Sequence, residues 1–372
     1  MIMLVYLLLL YSSITLFLNI FYFSKRGKNY TPGKFEKISV LIPVRNEEKE
    51  LRMCLDSLLN QSYPFMEIIA MDDNSDDTSW QILREYAAKY GDTFRVLKSK
   101  PLPDGWTGKN WVCFQLSQIA KGDWLLFTDA DTIHRRDSIL RAYTESRVRN
   151  ASLISYLPDL ITVSLAEKII LPVIYFSFYL LFPLFVMKKI KNNNAAIAIG
   201  TFIFIKREIY IKIGGHRAVK NEIVDDISLA RLVKKCGENF DLISGIDLFY
   251  TRFYHNLREI WKGFSKNAYG AFGYSILPYL ATLAFSYFIF LNPFIKLALY
   301  KSFNIHNPYF NQVFIILALR VIVALKTKHN ILSILFHPIM IVFSLLFSLN
   351  SLWKALSGNP IIWKGRAYKA TK

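Results

Sequence analysis

The most constraining feature of the sequence is a short apolar run that ends in two carboxylates, Leu125-Leu126-Phe127-Thr128-Asp129-Ala130-Asp131. A run of this length, preceded by Gly122-Asp123, predicts a buried strand. Asp129 and Asp131 then follow its carboxyl end, where open α/β sheets bind ligands. Paired carboxylates at that position suit a hard divalent cation that also contacts substrate phosphates. A helix cap in a strand-to-helix turn is the alternative, although a cap needs only one Asp.

Residues 1–23 contain no charged side chain and are long enough to cross the ~30 Å hydrocarbon core of a bilayer. They lack the basic start and the small-residue cleavage site of a signal peptide. Basic side chains follow directly, at Lys25, Arg26, Lys28, Lys34 and Lys37. The positive-inside rule therefore predicts a cytoplasmic domain next, with the amino terminus outside.

The composition predicts a soluble domain joined to membrane segments. Hydrophobic residues make up 53% of the 372 residues, yet 20% are charged, which excludes both an ordinary soluble protein and a pure membrane bundle. The net charge of +18 is compatible with nucleic acid, but the basic residues cluster beside apolar segments, which favours a membrane protein. Cys54, Cys113 and Cys236 show no zinc spacing and fit a reducing cytosolic compartment.

From residue 38 the pattern alternates between strands and helices, which predicts a parallel sheet with nucleotide-type chemistry at its carboxyl edge. The predicted strands are Ile38–Val44, Met66–Met71, Phe94–Leu97, the run that ends at Asp129, and Ala195–Ile205. The predicted helices are 47–60 with Asn46 as cap, 78–90, one from about Lys109, a short one that stops at Gly214-Gly215, and Ile227–Lys235, which Asp225-Asp226 opens and Gly237 ends.

The apolar run 165–190 is interrupted by Pro172 and Pro183. If it crossed the membrane, residues 38–160 and 195–265 would lie on opposite faces. Because we expect these two parts to share one active site, we predict that the run lies in the membrane interface or re-enters.

Further hydrophobic segments occur near 274–300, 312–325 and 330–350. We expect an N-terminal transmembrane anchor at 1–24, a catalytic domain at 25–270, and C-terminal transmembrane segments with a basic tail at 271–372. The sequence leaves open whether three or four segments cross after residue 270; three would put the basic tail outside, against the charge rule. No Asp or Glu follows Glu259, so the tail can supply only cations and aromatic side chains.

Two polar loops carry further candidates for chemistry. Asp72-Asp73-Asn74-Ser75-Asp76-Asp77 lacks the Gly and Glu that a calcium loop needs at its sixth and twelfth positions. A strand-end Asp there can contact a ribose or a base, and a polar turn is the alternative. Gly105-Trp106-Thr107-Gly108-Lys109-Asn110-Trp111 lacks the spacing of a Walker loop, but Lys109 at a helix start can meet phosphate oxygens.

The order of these motifs resembles that of family 2 glycosyltransferases, which have a GT-A fold. The motifs are Ile42-Pro43-Val44-Arg45-Asn46-Glu47-Glu48, the turn at 72–75, Asp129-Ala130-Asp131 and Asp225-Asp226. The loop 105–111, Val224–Ala230 and Trp363-Lys364-Gly365-Arg366-Ala367-Tyr368 are similar to membrane glycosyltransferases of hopanoid and carotenoid-acid glycosylation. The resemblance covers nearly the whole chain. It implies an α/β GT-A nucleotide-sugar-binding domain with a mostly parallel central sheet, N- and C-terminal transmembrane helices, and a divalent metal, Mg or Mn.

The resemblance also implies roles for single residues. The nucleotide-sugar side comprises Pro43, Arg45 and Glu47 around the nucleotide, Asp73 and Asp72 at the uracil, Lys109 at the diphosphate and Asp129 at the ribose. The metal is held by Asp131 and Asp129. Asp226 deprotonates the acceptor hydroxyl, with Asp225 beside it. The acceptor and diphosphate side comprises Gly200, Gly214, Gly215, His216, Arg258, Trp261 and Arg366.

One motif departs from the processive synthases of this family, which carry Gln or Arg, two residues, then Arg-Trp. The nearest stretch is Arg258-Glu259-Ile260-Trp261, which has no Arg before Trp261. The departure weighs against a polymer-extruding synthase. It leaves three candidates for the cation that faces the leaving diphosphate, namely Arg258, Lys262 and Arg366.

These observations predict an inverting glycosyltransferase that moves one sugar from a nucleotide donor, UDP-hexose, to a membrane lipid of carotenoid, terpenoid or glycolipid type. Its partners are the nucleotide sugar, the lipid acceptor and the bilayer of the cell membrane, without nucleic acid. A polyprenyl-phosphate sugar synthase is the alternative within the class. From another class, a basic membrane scaffold would need no order among the carboxylates.

Overall fold

The computed structural model describes residues 2–24, 34–190, 192, 194–300, 304–358 and 361–368. The predicted basic flank at 25, 26 and 28 and the last basic residues, 369 and 372, lie outside these ranges. The strands are β1 Ile38–Val44, β2 Met66–Asp72, β3 Phe94–Lys98, β4 Trp124–Thr128, β5 Thr132–His134, β6 Leu153–Leu157, β7 Asp159–Leu160, β8 Phe202–Lys206, β9 Phe240–Ser244, β10 Phe249–Thr251, β11 Ile361–Trp363 and β12 Arg366–Tyr368.

The first helix, α1 Ile2–Ser24, precedes the catalytic part. The helices of the catalytic part are α2 Leu51–Leu59, α3 Ser79–Tyr90, α4 Gly108–Ile119, α5 Ser138–Val148, α6 Leu165–Ile170, α7 Val173–Leu180, α8 Leu184–Lys189, α9 Arg207–Lys212, α10 Gly215–Ala218, α11 Asp225–Lys235 and α12 Leu257–Asn267. The helices that follow are α13 Ile276–Phe285, α14 Asn292–Tyr300, α15 Pro308–Thr327, α16 Leu332–Leu335 and α17 His337–Leu356. A π-helical turn, Ser286–Leu291, joins α13 to α14.

Seven strands form the central sheet, in the order β3-β2-β1-β4-β8-β6-β9. The first four are mutually parallel, β8 is antiparallel to both of its neighbours, and β9 is parallel to β6. The predicted mostly parallel sheet is therefore confirmed. Because β1, β2 and β4 are parallel, their carboxyl ends meet at one edge, and the antiparallel β8 begins at that same edge, where Phe202 pairs with Thr128.

Alternate residues of the sheet face two separate apolar cores, as the period of a strand requires. Val40 and Ile42 belong to a large core that includes α2 and α3. Leu41 belongs to a smaller core that includes α4 and α11. Strands that are apolar on both faces are typical of a parallel sheet covered by helices on both sides.

Two predicted elements are wrong in their bounds. The first helix begins at Leu51 instead of residue 47, and Asn46 does not cap it. Asn46 has a left-handed φ of 54° and accepts a hydrogen bond from the Asp76 nitrogen at 2.8 Å, which ties the loop after β1 to the loop after β2. The strand predicted at Ala195–Ile205 is confined to Phe202–Lys206, since residues 195–201 approach the site in irregular backbone.

Four helical segments in the described ranges are long and apolar enough to cross a membrane, namely Ile2–Ser24, Ile276–Tyr300, Pro308–Thr327 and His337–Leu356. The run 165–190 forms α6, α7 and α8, with six, eight and six residues, and breaks at Pro172 and Pro183. None of these three helices has the ~20 residues that a span requires. That the run lies in the interface or re-enters stays a prediction.

Asn19, a polar side chain of α1, stabilises the break between α7 and α8. Asn19 is fully buried, and its Nδ2 donates to the carbonyl oxygens of Phe178, Tyr179 and Phe182 at 2.8–3.1 Å. Its Oδ1 accepts from the Leu184 nitrogen at 3.1 Å. A helix interrupted in an apolar environment leaves backbone groups without partners, so an Asn on the neighbouring helix offsets the cost.

Candidate active site

Arg45 organises the edge where β1 and β2 end. Its Nη1 donates to the carbonyl oxygens of Asp73 at 2.5 Å and Asn74 at 3.3 Å. Asp72 is buried and accepts from the Ser75 nitrogen at 3.3 and 3.4 Å, so its carboxylate shapes the turn. Asp73 is the other predicted base contact at this edge. Pro43, also predicted here, is half-buried in β1.

The two carboxylates predicted to hold the metal, Asp131 and Asp129, lie near a third acidic side chain, Glu47. Burial, then the charges of Asp129 and Glu47, raise the pKa of Asp131 to about 7. Burial also raises the pKa of Glu47, against the opposing effect of Lys364. Mutual repulsion of this kind is relieved by a bound cation, and carboxylate oxygens suit Mg²⁺ or Mn²⁺.

The donor set fits a metal that the substrate completes. Within the described ranges, no three His, Cys, Asp or Glu side chains converge into a full metal cage. Mg²⁺ is usually held by one or two carboxylates together with substrate phosphates and water, so Asp131 and Asp129 suffice as protein ligands.

Lys109 lies between this metal side and a second pair of carboxylates. Its Nζ pairs with Asp129 Oδ1 at 2.7 Å. Burial acts to lower the pKa of Lys109, but the charges of Asp129 and Asp225 outweigh it and raise the pKa. Thr107 caps α4 by accepting from the Asn110 nitrogen at 3.3 Å, which fixes the turn that carries Lys109.

Asp225 is held ionised by its neighbours. It is buried at the start of α11, and its Oδ2 lies 3.5 Å from His216 Nε2. His216 is buried as well, and its Nδ1 lies 2.8 Å from the Tyr210 hydroxyl. Burial acts to raise the pKa of Asp225, but Lys109 and the hydrogen bond with His216 lower it overall. His216 therefore positions a carboxylate and is not a surface histidine.

Asp226 has the opposite electrostatic situation. Burial, then the charge of Asp225, raise the pKa of Asp226 to about 7. Its Oδ1 accepts from the Ile227 nitrogen at 2.8 Å. A carboxylate that titrates near the working pH has the pKa of an effective general base. The geometry thus separates the two adjacent aspartates into an ionised partner of His216 and a group able to exchange a proton.

Two glycines allow the close packing around these groups. A Cβ at Gly200 would lie 3.3 Å from both Asp226 Oδ2 and Lys109 Nζ, so the irregular backbone before β8 runs directly against the site. A Cβ at Gly215 would overlap the Tyr210 ring, and Gly215 and Gly214 both have positive φ. A side chain at Gly200 or Gly215 would therefore push against these neighbours.

The cations predicted for the leaving diphosphate do not converge on one place. Arg258 and Lys262 are exposed on α12, and Trp261 is half-buried against the apolar core. Arg366 instead pairs with Asp73, from Nη1 to Oδ2 at 2.5 Å and from Nη2 to Oδ1 at 3.1 Å. Arg366 therefore lies at the predicted nucleobase side.

Sequence reasoning missed three residues of this site. Lys364 forms an ion pair with Glu47 and donates to the Arg45 carbonyl oxygen at 2.7 Å. Burial, then Lys109, lower the pKa of Lys266 to about 8, and Asp225, Asp129 and Asp226 oppose that shift. Burial raises the pKa of the Tyr254 hydroxyl, and the charge of Asp131 adds to the rise. Only Lys364 had a signal in the sequence, since it belongs to the terminal motif 363–368.

Comparison with known proteins agrees with this geometry. Residues 39–214 match Glycosyl transferase family 2. A 4,4'-diaponeurosporenoate glycosyltransferase of Staphylococcus haemolyticus is 29% identical over 216 residues. The match covers 54% of this chain and 52% of the relative, so it spans about half of that protein's length. A protein of the same name from Staphylococcus aureus is 24% identical over 351 residues, covering 91% of this chain and 89% of the relative.

A solved structure shows the fold independently. A mannosyltransferase from Pyrobaculum calidifontis, in complex with GDP-Man and Mn²⁺, superposes with a TM-score of 0.51 over 94% of this chain and 99% of that one. The identity is 15%, so the likeness concerns the fold. The predicted GT-A fold is thereby confirmed.

Proposed function

We propose that the enzyme transfers a single sugar from a nucleotide donor, UDP-hexose, to a membrane lipid, and the match of residues 39–214 to Glycosyl transferase family 2 supports this proposal. The acceptor is of carotenoid, terpenoid or glycolipid type, and the anomeric configuration inverts. The observation that supports the proposal most is the pair Asp225 and Asp226, whose pKa values are shifted in opposite directions. Lys109 lies between this pair and Asp129, one of the carboxylates predicted to hold the metal. A binding scaffold has no use for a carboxyl group whose pKa is raised to about 7 beside them.

In the proposed reaction, the acceptor oxygen bonds to the anomeric carbon while the bond from that carbon to the diphosphate oxygen breaks. Asp131 and Asp129 would hold a divalent metal, which would supply positive charge at the leaving diphosphate. Asp226 takes the proton of the acceptor hydroxyl. Asp225 stays ionised through Lys109 and His216, and its charge keeps the pKa of Asp226 high enough for this role. Displacement in one step inverts the configuration.

The acceptor class is supported by the staphylococcal relatives, whose names specify glycosylation of 4,4'-diaponeurosporenoate. Such an acceptor is a carboxylic acid, and its oxygen is already anionic at neutral pH. A general base is then unnecessary, and the same holds for a polyprenyl phosphate. The dependence of turnover on Asp226 therefore reports which acceptor chemistry the enzyme uses.

We propose that the catalytic domain faces the cytosol and that three segments cross the membrane, namely α1, 276–300 and α15. Support comes from contacts at their ends. Tyr6, near the start of α1, donates to the Pro308 carbonyl oxygen at the start of α15. At the other end of α15, Lys328 pairs with Asp247 of the catalytic domain at 2.6 Å.

The fourth apolar helix, α17, lies in the membrane interface in this arrangement. The chain contacts the catalytic domain before α17, through Lys328, and after it, through Arg366, so both ends of α17 stay on one side. The Asn350 side chain also donates to Ser265 of α12 at 2.8 Å. Exposed apolar side chains recur on one stripe of α17, at Ile339, Val342, Leu346, Leu349, Trp353 and Leu356. Only two segments, 276–300 and α15, then cross after residue 270, so the basic tail stays on the cytosolic side as the charge rule predicts.

Cysteine labelling in intact cells tests the arrangement. In a Cys236→Ser background, which removes the exposed native thiol, we expect cysteines at Lys100, Lys220 and Gly358 to be shielded from an impermeant reagent. A cysteine at Ile305, which is exposed between 276–300 and α15, should be labelled. Labelling at Gly358 would show that α17 crosses. Labelling at only one of Lys100 and Lys220 would show that 165–190 crosses and would break up the proposed site.

Turnover in lipid nanodiscs tests the function. The purified enzyme with Mn²⁺ and radiolabelled UDP-glucose is given a terpenoid alcohol, a carotenoid acid or a polyprenyl phosphate. We expect label in the lipid fraction with at least one of the first two acceptors. Transfer to polyprenyl phosphate alone would establish the alternative synthase. No transfer and no nucleotide release with any nucleotide hexose would support the scaffold.

A further inference from the structure

We propose that Lys364 is a catalytic residue that contacts the leaving diphosphate of the donor and stabilises its charge. The inference rests on the proposed function and deepens it. Processive synthases of this family have an Arg before the Trp of this motif, and no Arg precedes Trp261 here. Lys364 is the cation that we propose in its place. Lys364 lies in the turn of the hairpin β11–β12, more than 300 positions from its partners Arg45 and Glu47, which follow β1.

The hairpin is docked onto the nucleotide edge by several contacts. Arg366 forms the two-bond pair with Asp73, and the Tyr368 hydroxyl accepts from the Gly108 nitrogen at 3.2 Å. The Lys364 carbonyl oxygen accepts from Arg45 Nε at 3.3 Å. These contacts fix the turn of the hairpin at the carboxyl end of β1.

The turn itself is unusual for a lysine. Lys364 and Gly365 both have positive φ, 44° and 78°, which is the pattern of a two-residue type I′ hairpin. Asn or Gly is favoured at the first position, because a residue with a larger side chain is strained in the left-handed region. A strained residue that persists in a site is a reason to look for a function of its side chain.

The ammonium group lies on the metal side of the site. It pairs with Glu47, and its charge opposes the raised pKa of both Glu47 and Asp131. It is therefore within electrostatic reach of the carboxylate predicted to hold the metal. Lys364 also donates to the Arg45 carbonyl oxygen at 2.7 Å, so its ammonium is held at the carboxyl end of β1, where a diphosphate bound beside Asp131 would come within its reach.

The other cations near the site have different geometry. Arg258 and Lys262 are exposed. Arg366 engages both oxygens of Asp73 on the predicted nucleobase side, whereas Lys109 pairs with Asp129 as Lys364 pairs with Glu47, so the two lysines both belong to the metal side. Lys266 lies within electrostatic reach of Asp225 and Asp226, the side of the proposed base.

The chemical role involves no covalent step by the lysine. As the bond between the anomeric carbon and the diphosphate breaks, its electron pair stays on the diphosphate oxygen. An ammonium donor aimed at that oxygen binds the product-like charge more strongly than the ground state. Hydrogen bonds between charged partners of this type are about twice as strong as neutral ones.

The test uses Lys364→Asn, because Asn suits the left-handed turn and preserves the hairpin while it removes the cation. Binding of UDP with Mn²⁺ and binding of uridine are measured by calorimetry on the full-length protein in nanodiscs. We expect the Kd of UDP to rise at least about tenfold and that of uridine to stay unchanged. We expect kcat to fall about 10²-fold, the size found for removal of one charge-stabilising donor. Lys364→Arg should restore part of both losses.

Lys212→Asn is the matched control, since Lys212 pairs with Glu238 at 3.0 Å on the surface, and it should behave like the wild type. If the wild type binds neither UDP nor GDP, the proposed function fails. If the wild type binds UDP and Lys364→Asn matches it in binding and turnover, only the assignment of Lys364 fails. Tighter UDP binding or faster turnover of Lys364→Asn would also overturn it, because the hairpin would then act as a cover.

Discussion

Replacing Asp226 by Asn should raise the stability of the protein while it lowers activity towards a hydroxyl acceptor. In the folded protein, burial and Asp225 raise the pKa of Asp226 from 3.8 to about 7. The unfolded chain loses this proton near its ordinary pKa, so the folded state becomes less stable as the pH rises from about 4 to 7. Above pH 7 the folded protein bears the full free-energy cost of an ionised, buried Asp226. An Asn at this position is neutral and has no such cost.

The magnitude follows from the size of the shift. Each pKa unit is worth about 1.4 kcal/mol, so the ceiling is about 4 kcal/mol at pH 8. Because water still reaches the half-buried carboxyl, we expect a gain of about 1–3 kcal/mol. In a thermal scan of a chain of 372 residues this corresponds to an apparent Tm higher by roughly 1–4 °C at pH 8, with a smaller difference at pH 5. The general-base role predicts a fall in kcat of about 10²–10⁴-fold for a hydroxyl acceptor.

Asp225→Asn is the matched control for this experiment. The pKa of Asp225 is lowered by Lys109 and His216, so its ionised form stabilises the fold, and Asn should lower the Tm at pH 8. A variant Asp226→Asn that is less stable than wild type at pH 8 would refute the electrostatic argument. A loss of kcat below about tenfold would mean that Asp226 is not the base or that the acceptor is already anionic.

Three further predictions concern the surroundings of this group. Gly200→Ala should lower kcat about tenfold with little change in Tm, because its Cβ crowds Asp226 Oδ2 at 3.3 Å; steady-state kinetics in nanodiscs check this. Gly108→Ala places a Cβ over the Arg366 guanidinium, so it should weaken UDP binding as Arg366→Ala does, and calorimetry on the double variant should show no further loss. With a hydroxyl acceptor, kcat should rise with pH through about 7 as Asp226 loses its proton, and a flat profile would contradict the assignment.

The sheet edge could be predicted because its signals are local. Ile38–Val44 and the strand before Asp129 are short apolar runs that end in polar residues, and the structure gives them the expected bounds or differs by one residue. The start of the first helix was not predictable. Asn46 is a good cap by type, but its side chain is used by the Asp76 nitrogen of another loop, a contact that sequence spacing does not contain.

The pairing across the site depends on contacts between distant residues. The irregular approach of residues 195–201 follows from β8 entering antiparallel at the edge of β4, which periodicity does not reveal. His216 is buried by its bonds with Tyr210 and Asp225, although histidine alone gives no such indication. The docking of Lys364 and Arg366 joins residues about 300 positions apart, so the motif 363–368 pointed to importance but not to a location.

The most direct test of the central claim compares the wild type with Asp131→Asn in a transfer assay that reports stereochemistry. Purified protein in nanodiscs is incubated with Mn²⁺, α-linked UDP-glucose and a membrane lipid extract, and the lipid-soluble product is analysed by NMR at the anomeric carbon. We predict a β-linked glycolipid with the wild type and none with a folded Asp131→Asn variant, because the proposed mechanism assigns the metal to that carboxylate. An α-linked product, or equal transfer by both proteins, would contradict the account.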